Sequence, residues 1–170
     1  MTCIDIHTHM FNTSWIKAIS KNLKYGTTEV NGNPMIALAG RPYMPIEREM
    51  LDYEQRIKDM NSAGVDVAIV SLTTPSVYWA EKSEAITLSK IINEEMAEQQ
   101  QIFPDRIRFL ATIPWQHPKE AKLELNAALS LGAVGVFVGS NIEGTPLTDP
   151  KFATIWEEIN RLSLPILLHP

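Results

Sequence analysis

The chain is predicted to be an α/β protein built around a parallel sheet, and three observations carry that expectation. Five short apolar runs alternate with segments of helical periodicity. The runs are apolar throughout rather than alternating, as strands covered on both faces are. Gly64 and Gly132 each stand where a helical segment gives way to the next run, a position suited to a left-handed stop. An open doubly wound sheet and a closed barrel both satisfy this pattern.

In chain order, Cys3 to His7 is the first apolar run, and it ends in histidines. Residues 11–50 carry Gly26, Gly32, Pro34, Gly40, Pro42 and Pro45, and are read as a long irregular loop that covers a site. Asp52 to Ala63 has Tyr53, Ile57 and Met60 on one helical face, and Val65 to Leu72 follows as a β-branched strand. Ser83 is expected to cap a helix whose apolar face is Ile86, Leu88, Ile91, Ile92 and Met96. The alternation continues with a strand at Ile107 to Ile113, a helix from Pro118 to Leu131 and a strand at Ala133 to Val138. Asp149 and Pro150 open a helix to Leu162, and Pro165 to Leu168 is the last strand, ending at His169.

A chain of 170 residues suits one domain, here residues 1–170, with a full core. The net charge of −5 argues against a nucleic-acid partner, because phosphate binding needs a basic face. No apolar run approaches the roughly 20 residues of a membrane helix, and no basic segment precedes an apolar one at Met1. A cytoplasmic location is expected. Cys3, the single cysteine, is expected to be a small buried residue of the first strand.

The chemistry concentrates in Asp5-Ile6-His7-Thr8-His9. Residues i and i+2 of a strand point to one face, so His7 and His9 can converge on one cation. Asp5 shares that side and could orient an imidazole. His169 repeats the placement at the end of the fifth strand, and α/β proteins set their sites at such C-terminal strand ends. Three protein ligands leave a position open for water, which marks a catalytic rather than a structural ion. Imidazole suits zinc, manganese and iron alike, so the ligands do not identify the metal.

Ile4-Asp5-Ile6-His7-Thr8-His9, Ser76-Val77-Tyr78-Trp79-Ala80 and Leu164-Pro165-Ile166-Leu167-Leu168-His169-Pro170 resemble the amidohydrolase superfamily. Phe103 to Phe109 and Gly132 to Val136 also look like its branch of aminocarboxymuconate-semialdehyde decarboxylase and related aromatic-acid decarboxylases. The resemblance implies a TIM-type (β/α)8 barrel, of which this chain carries about the first five β/α units. It implies one divalent ion, zinc first and manganese second, held by His7, His9 and His169. It further implies a small carboxylic acid as substrate, aromatic or muconate-like, cleaved by decarboxylation or hydrolysis. The remaining ligands and the catalytic residues would lie downstream of Pro170, as in a longer chain. Val134 to Ser140 offers no bridging ligand, which favours a mononuclear site.

Arg41 is the candidate for holding the substrate carboxylate, with Arg48 beside it, because a guanidinium binds a carboxylate in two-pronged fashion. Trp79, with Tyr78, is expected to wall the substrate, and His117 to border the pocket. Glu94, Glu95 and Glu98 are read as a solvated helix face. Two other readings stand beside the decarboxylase: a phosphoesterase of the polymerase-and-histidinol-phosphatase type, and a half-barrel that is catalytically silent. A homodimer is also compatible with the resemblance.

Overall fold

The computed structural model describes residues 1–170. Its core is a parallel sheet of β1 (Ile4–His9), β5 (Val67–Ser71), β6 (Ile107–Phe109), β7 (Val136–Gly139) and β10 (Ile166–His169). β5 pairs with β1 on one side and β6 on the other, and β7 pairs with β10. The two groups join through a parallel bridge between Ala111 and Val136. The five strands therefore stand in chain order, as successive right-handed crossovers produce.

The crossovers are helical. α1 (Thr13–Ile19) and α2 (Tyr53–Ala63) lie between β1 and β5, α3 (Lys82–Ile102) between β5 and β6, α4 (Pro118–Ser130) between β6 and β7, and α5 (Ala153–Arg161) before β10. Asp52 caps α2 by accepting the Gln55 N–H, and Gly64 ends it at φ 70°. α3 buries Ala85, Leu88, Ile92 and Met96, spaced three or four residues apart, against the sheet. Each such aliphatic side chain contributes about 1.5–3 kcal/mol when fully covered. Trp15, Trp115, Phe109, Phe137 and Phe152 fill the space between the layers.

The sheet curls. Adjacent strands lie about 4.8 Å apart, so β1 and β10 would be separated by roughly 19 Å in a flat sheet. Instead the imidazole Nε2 atoms of His9 and His169, on those two outer strands, are 3.2 Å apart. The outer strands therefore bend toward each other at their C-terminal ends.

Residues 11–50 are not an irregular loop. After α1 they form an antiparallel sheet of β2 (Tyr25–Val30), β3 (Asn33–Leu38) and β4 (Arg41–Pro45). Its turns are Asn31-Gly32 and Ala39-Gly40, and all four residues have positive φ. Such two-residue turns match the twist of a hairpin, and Asn-Gly is their strongest sequence signal. The same turn recurs at Glu143-Gly144, between the short strands β8 (Asn141–Ile142) and β9 (Thr145–Pro146).

Three smaller expectations are also corrected. Cys3 is exposed at the start of β1, where its main chain bonds Asp66 and Val67 but nothing covers the thiol. Ser83 sits inside α3, whose N-cap is Glu81 without a side-chain bond. Asp149 caps a single 3-10 turn, Pro150–Phe152, before α5 begins.

Candidate metal centre

The site lies at the C-terminal ends of the parallel strands. Between Asp5 and Thr8, β1 advances three residues while β5 advances two, from Ala68 to Val70. The extra residue is a bulge, a device that re-aims side chains at strand ends. His7 within it and His9 just beyond it meet edge to face, their ring centroids 5.0 Å apart. His169 approaches from β10, 5.1 Å from the His7 ring and 5.0 Å from the His9 ring. One nitrogen from each of the three lies within 4.8 Å of the others. Phe137, 1% exposed, packs edge-on against His9 and gives the cluster an apolar wall.

The electrostatics favour a neutral His9 ring. Burial, reinforced by His169, His7 and Arg56, lowers the His9 pKa to about 4, so His9 is uncharged at neutral pH. His169 Nδ1 lies 2.9 Å from the Pro170 carbonyl oxygen, an acceptor only, so Nδ1 is the donor in that contact. Arg56 on α2 donates to the His9 carbonyl at 3.3 Å and ties the strand end to the helix layer.

This donor set fits a divalent ion. Ligands about 2.0–2.1 Å from a tetrahedral zinc are roughly 3.4 Å from one another. The His9–His169 separation of 3.2 Å is close to that, and side-chain rotation can draw in the wider contacts. No carboxylate joins the three imidazoles. The Asp5 carboxylate accepts the His7 main-chain N–H at 3.1 Å and does not orient a ring, contrary to expectation.

A pocket of about 280 Å³ has Pro170, the chain neighbour of His169, in its lining. Tyr25, Tyr43, Thr74, Tyr78 and Ser140 line it, and the Lys24–Glu143 ion pair borders it. The antiparallel sheet thus supplies two of its walls. Tyr78 is buried, its hydroxyl accepts the Gly139 N–H at 3.1 Å, and burial pushes its pKa up.

Other residues singled out from the sequence are placed differently. Arg41 is exposed at the start of β4, outside the pocket lining. Arg48 lies in a separate 3-10 turn, Arg48–Met50. Trp79 packs against the core and donates its indole N–H to the Ser76 carbonyl at 2.8 Å, a carbonyl that Trp15 also engages. His117 stands at the N-cap of α4, its Nε2 buried and unpartnered. Glu95 does not belong to a solvated face. It is half-buried against Asn12, and burial raises its pKa. Sequence reading missed Tyr25 and Tyr43, which the two tight-turn signals could have placed on hairpin strands.

Comparison with known proteins agrees with this geometry. The profile of an amidohydrolase family, Amidohydro_2, matches residues 4–170. The 2-amino-3-carboxymuconate-6-semialdehyde decarboxylase of Dictyostelium discoideum is 29% identical over 98% of the chain and 48% of its own length. The gamma-resorcylate decarboxylase of Rhizobium radiobacter is 33% identical over 77% of the chain and 43% of its own length. The 5-carboxyvanillate decarboxylase of Novosphingobium aromaticivorans, solved with manganese and 4-hydroxy-3-methoxy-5-nitrobenzoic acid, superposes with a TM-score of 0.80. It is 24% identical over 99% of the chain and 50% of its own. The chain spans about half the length of the curated relatives it matches.

Proposed function

The chain belongs to the amidohydrolase family over residues 4–170, and from that premise we propose that it is the N-terminal part of a mononuclear metal-dependent decarboxylase. The observation that carries this reading is the convergence of His7, His9 and His169 from the two outer strands of a curled sheet. These three residues hold one divalent ion, zinc or manganese; the manganese in the Novosphingobium structure supports the second choice. A bound ion of this kind polarises a substrate oxygen and acidifies its water.

The substrate class is a small aromatic or muconate-like carboxylic acid, as the names of the relatives suggest. The pocket of about 280 Å³ that has Pro170 in its lining has room for a single substituted ring, with Tyr25 and Tyr43 among its lining residues. Arg41, on the sheet that supplies those tyrosines, is the proposed carboxylate contact. Trp79 acts from behind, pinning the Ser76 carbonyl next to the pocket residues Thr74 and Pro75. The complete barrel would have eight β/α units, and decarboxylation belongs to that whole. A homodimer and a cytoplasmic location are part of the same proposal; no helix is long and apolar enough to cross a membrane.

A second reading, that residues 1–170 alone bind metal without turning over substrate, is favoured by the exposed apolar side chains Ile4, Ile6, Ile166 and Leu168 on the outer strands. The phosphoesterase alternative loses ground, since such sites gather carboxylates and none joins this cluster. Calorimetric titration of the metal-free chain with zinc and with manganese, followed by a carbon dioxide release assay on gamma-resorcylate, tests these readings. One ion per chain, lost in His169→Ala, is expected. Turnover supports the decarboxylase, metal binding without turnover the silent half-barrel, and absence of stoichiometric binding removes the metal centre altogether.

A further inference from the structure

The turn Glu143-Gly144 carries a residue that its backbone does not favour. Both positions have positive φ, 49° at Glu143 and 81° at Gly144, as the two-residue turn between β8 and β9 requires. Asn and Gly adopt that conformation readily, whereas a glutamate there holds the backbone under strain. The turn has its own support, since the Asn141 side-chain oxygen accepts the Gly144 N–H at 2.8 Å. The Glu143 side chain instead reaches across to the antiparallel sheet. One of its carboxylate oxygens accepts the Tyr25 hydroxyl at 3.2 Å, and the other pairs with the Lys24 ammonium. Strain kept at a residue whose side chain is committed elsewhere points to a role beyond the turn.

That role lies in the pocket of about 280 Å³, which Lys24, Tyr25 and Glu143 help to line. Lys24 and Glu143 are its only charged side chains, and hydroxyl and amide groups such as those of Tyr43, Thr74, Ser140 and Asn141 supply other polar lining. The carboxylate offsets the ammonium, so the lining side chains carry no net charge. Burial, then the Glu143 carboxylate, pushes the Tyr25 pKa up, so Tyr25 stays a neutral hydroxyl. An incoming anion would find Lys24 already paired and would face Glu143 as a like charge, which penalises the wrong partner. A hydroxyl substituent meets no such penalty, because it can both donate and accept.

We infer that Glu143 is a specificity-determining residue: by claiming the Lys24 ammonium it closes the pocket to a second anionic substituent. The class that fits is a monocarboxylic acid whose ring carries hydroxyl groups. The inference rests on the substrate pocket proposed above, and it separates acids which that reading groups together. There Arg41 takes the reacting carboxylate; Glu143 governs what else the ring can carry. The pair is partly solvated, with 54% of the Lys24 side chain and 31% of the Glu143 side chain exposed, so it acts as a graded filter. An ion pair of such exposure sets a scale of about fivefold at most in an equilibrium constant.

The test titrates the ¹⁵N-labelled chain at neutral pH with two ring-matched acids, 3-hydroxybenzoate and the dicarboxylate isophthalate. The backbone amides of Tyr25, Ser140 and Gly144, followed by ¹H–¹⁵N correlation, report binding in the pocket. Wild type should bind 3-hydroxybenzoate more tightly than isophthalate. Glu143→Gln frees Lys24, so the affinity ratio should move toward isophthalate by about fivefold. Glu143→Asn, the residue type the turn prefers, should move the ratio in the same direction and serves if the first variant folds poorly. Adding Lys24→Met to either variant removes the ammonium and should cancel the gain. A wild type that prefers isophthalate, a ratio unchanged in the Glu143 variants, or a gain that survives Lys24→Met overturns the inference and leaves the pocket reading standing. Amides that respond to neither acid in any form overturn the pocket as a binding site, and the inference with it.

Discussion

Asn93 offers a demanding test of how the helix layer is fixed to the strand ends. It is fully buried on α3, and its amide makes a reciprocal pair with the main chain of Thr112, which is also buried. The Asn93 Oδ1 accepts the Thr112 N–H at 2.9 Å, and its Nδ2 donates to the Thr112 carbonyl at 2.9 Å and to the Glu124 carboxylate at 2.8 Å. Asn93→Ala leaves both main-chain groups of Thr112 without partners in a place water does not reach. Each such group costs about 1–3 kcal/mol, so the variant should lose about 2–6 kcal/mol. For a domain of this size that corresponds to a fall of at least about 4 °C in Tm.

Asn93→Asp refines the argument. Its carboxylate can accept the Thr112 N–H but cannot donate to the carbonyl, and it faces Glu124, whose pKa burial already raises. At pH 7 it should be no more stable than Asn93→Ala. Its deficit should shrink as the pH falls, because a protonated carboxyl can donate again. Urea unfolding followed in parallel by far-UV circular dichroism and tryptophan fluorescence measures both, provided the two transitions coincide. A loss in Asn93→Ala under about 0.5 kcal/mol, the range of an ordinary surface change, would refute the claim that this pair anchors the strand end.

Three further outcomes are expected. In Gly135→Ala the new Cβ would stand 2.6 Å from the Pro165 carbonyl oxygen on the segment leading to β10, so the strands must separate; the unfolding free energy from urea titration should fall by about 1–3 kcal/mol. Arg161, then Lys122, holds the Glu158 carboxyl down to about 2, so its contribution is complete above the ordinary carboxylate pKa and lost as pH falls toward 2. The stability difference between wild type and Glu158→Gln should accordingly be largest at pH 6–7 and vanish near pH 2, and a difference that persists there would contradict the ion-pair origin. The open edges of β1 and β10 expose Ile6 and Leu168, so the isolated chain should sediment above 19.1 kDa, and Ile6→Lys with Leu168→Lys should reduce that association.

Much of this molecule is written locally. The five parallel strands are legible because each is a continuous apolar run, and α2 and α4 because Asp52, Gly64, Pro118 and Gly132 mark their ends. His7, His9 and His169 could be picked out because strand ends are where such folds place chemistry, and i, i+2 spacing puts two rings on one side. The antiparallel sheet of residues 25–45 was also written locally, in Asn31-Gly32 and Ala39-Gly40, but the surrounding prolines and glycines masked those turns as loop. Glu95 looked solvated because three acids in a short stretch suggest a wet face; only α1, which brings Asn12 against it, places it half inside.

What tertiary structure alone decides is the meeting of distant edges. β1 and β10 are 160 residues apart at His9 and His169, and no local pattern states how strongly a sheet curls. Curvature is the sum of small twists between neighbouring strands, set by packing against five helices at once. The same holds for Ser71 and Arg56, an ordinary strand serine and an ordinary helix arginine by sequence. They become the groups around His9 only because β5 registers against β1 and α2 folds back over both. The residue types that can carry the chemistry are a property of the chain; the distances that would let them act together are a property of the packed sheet.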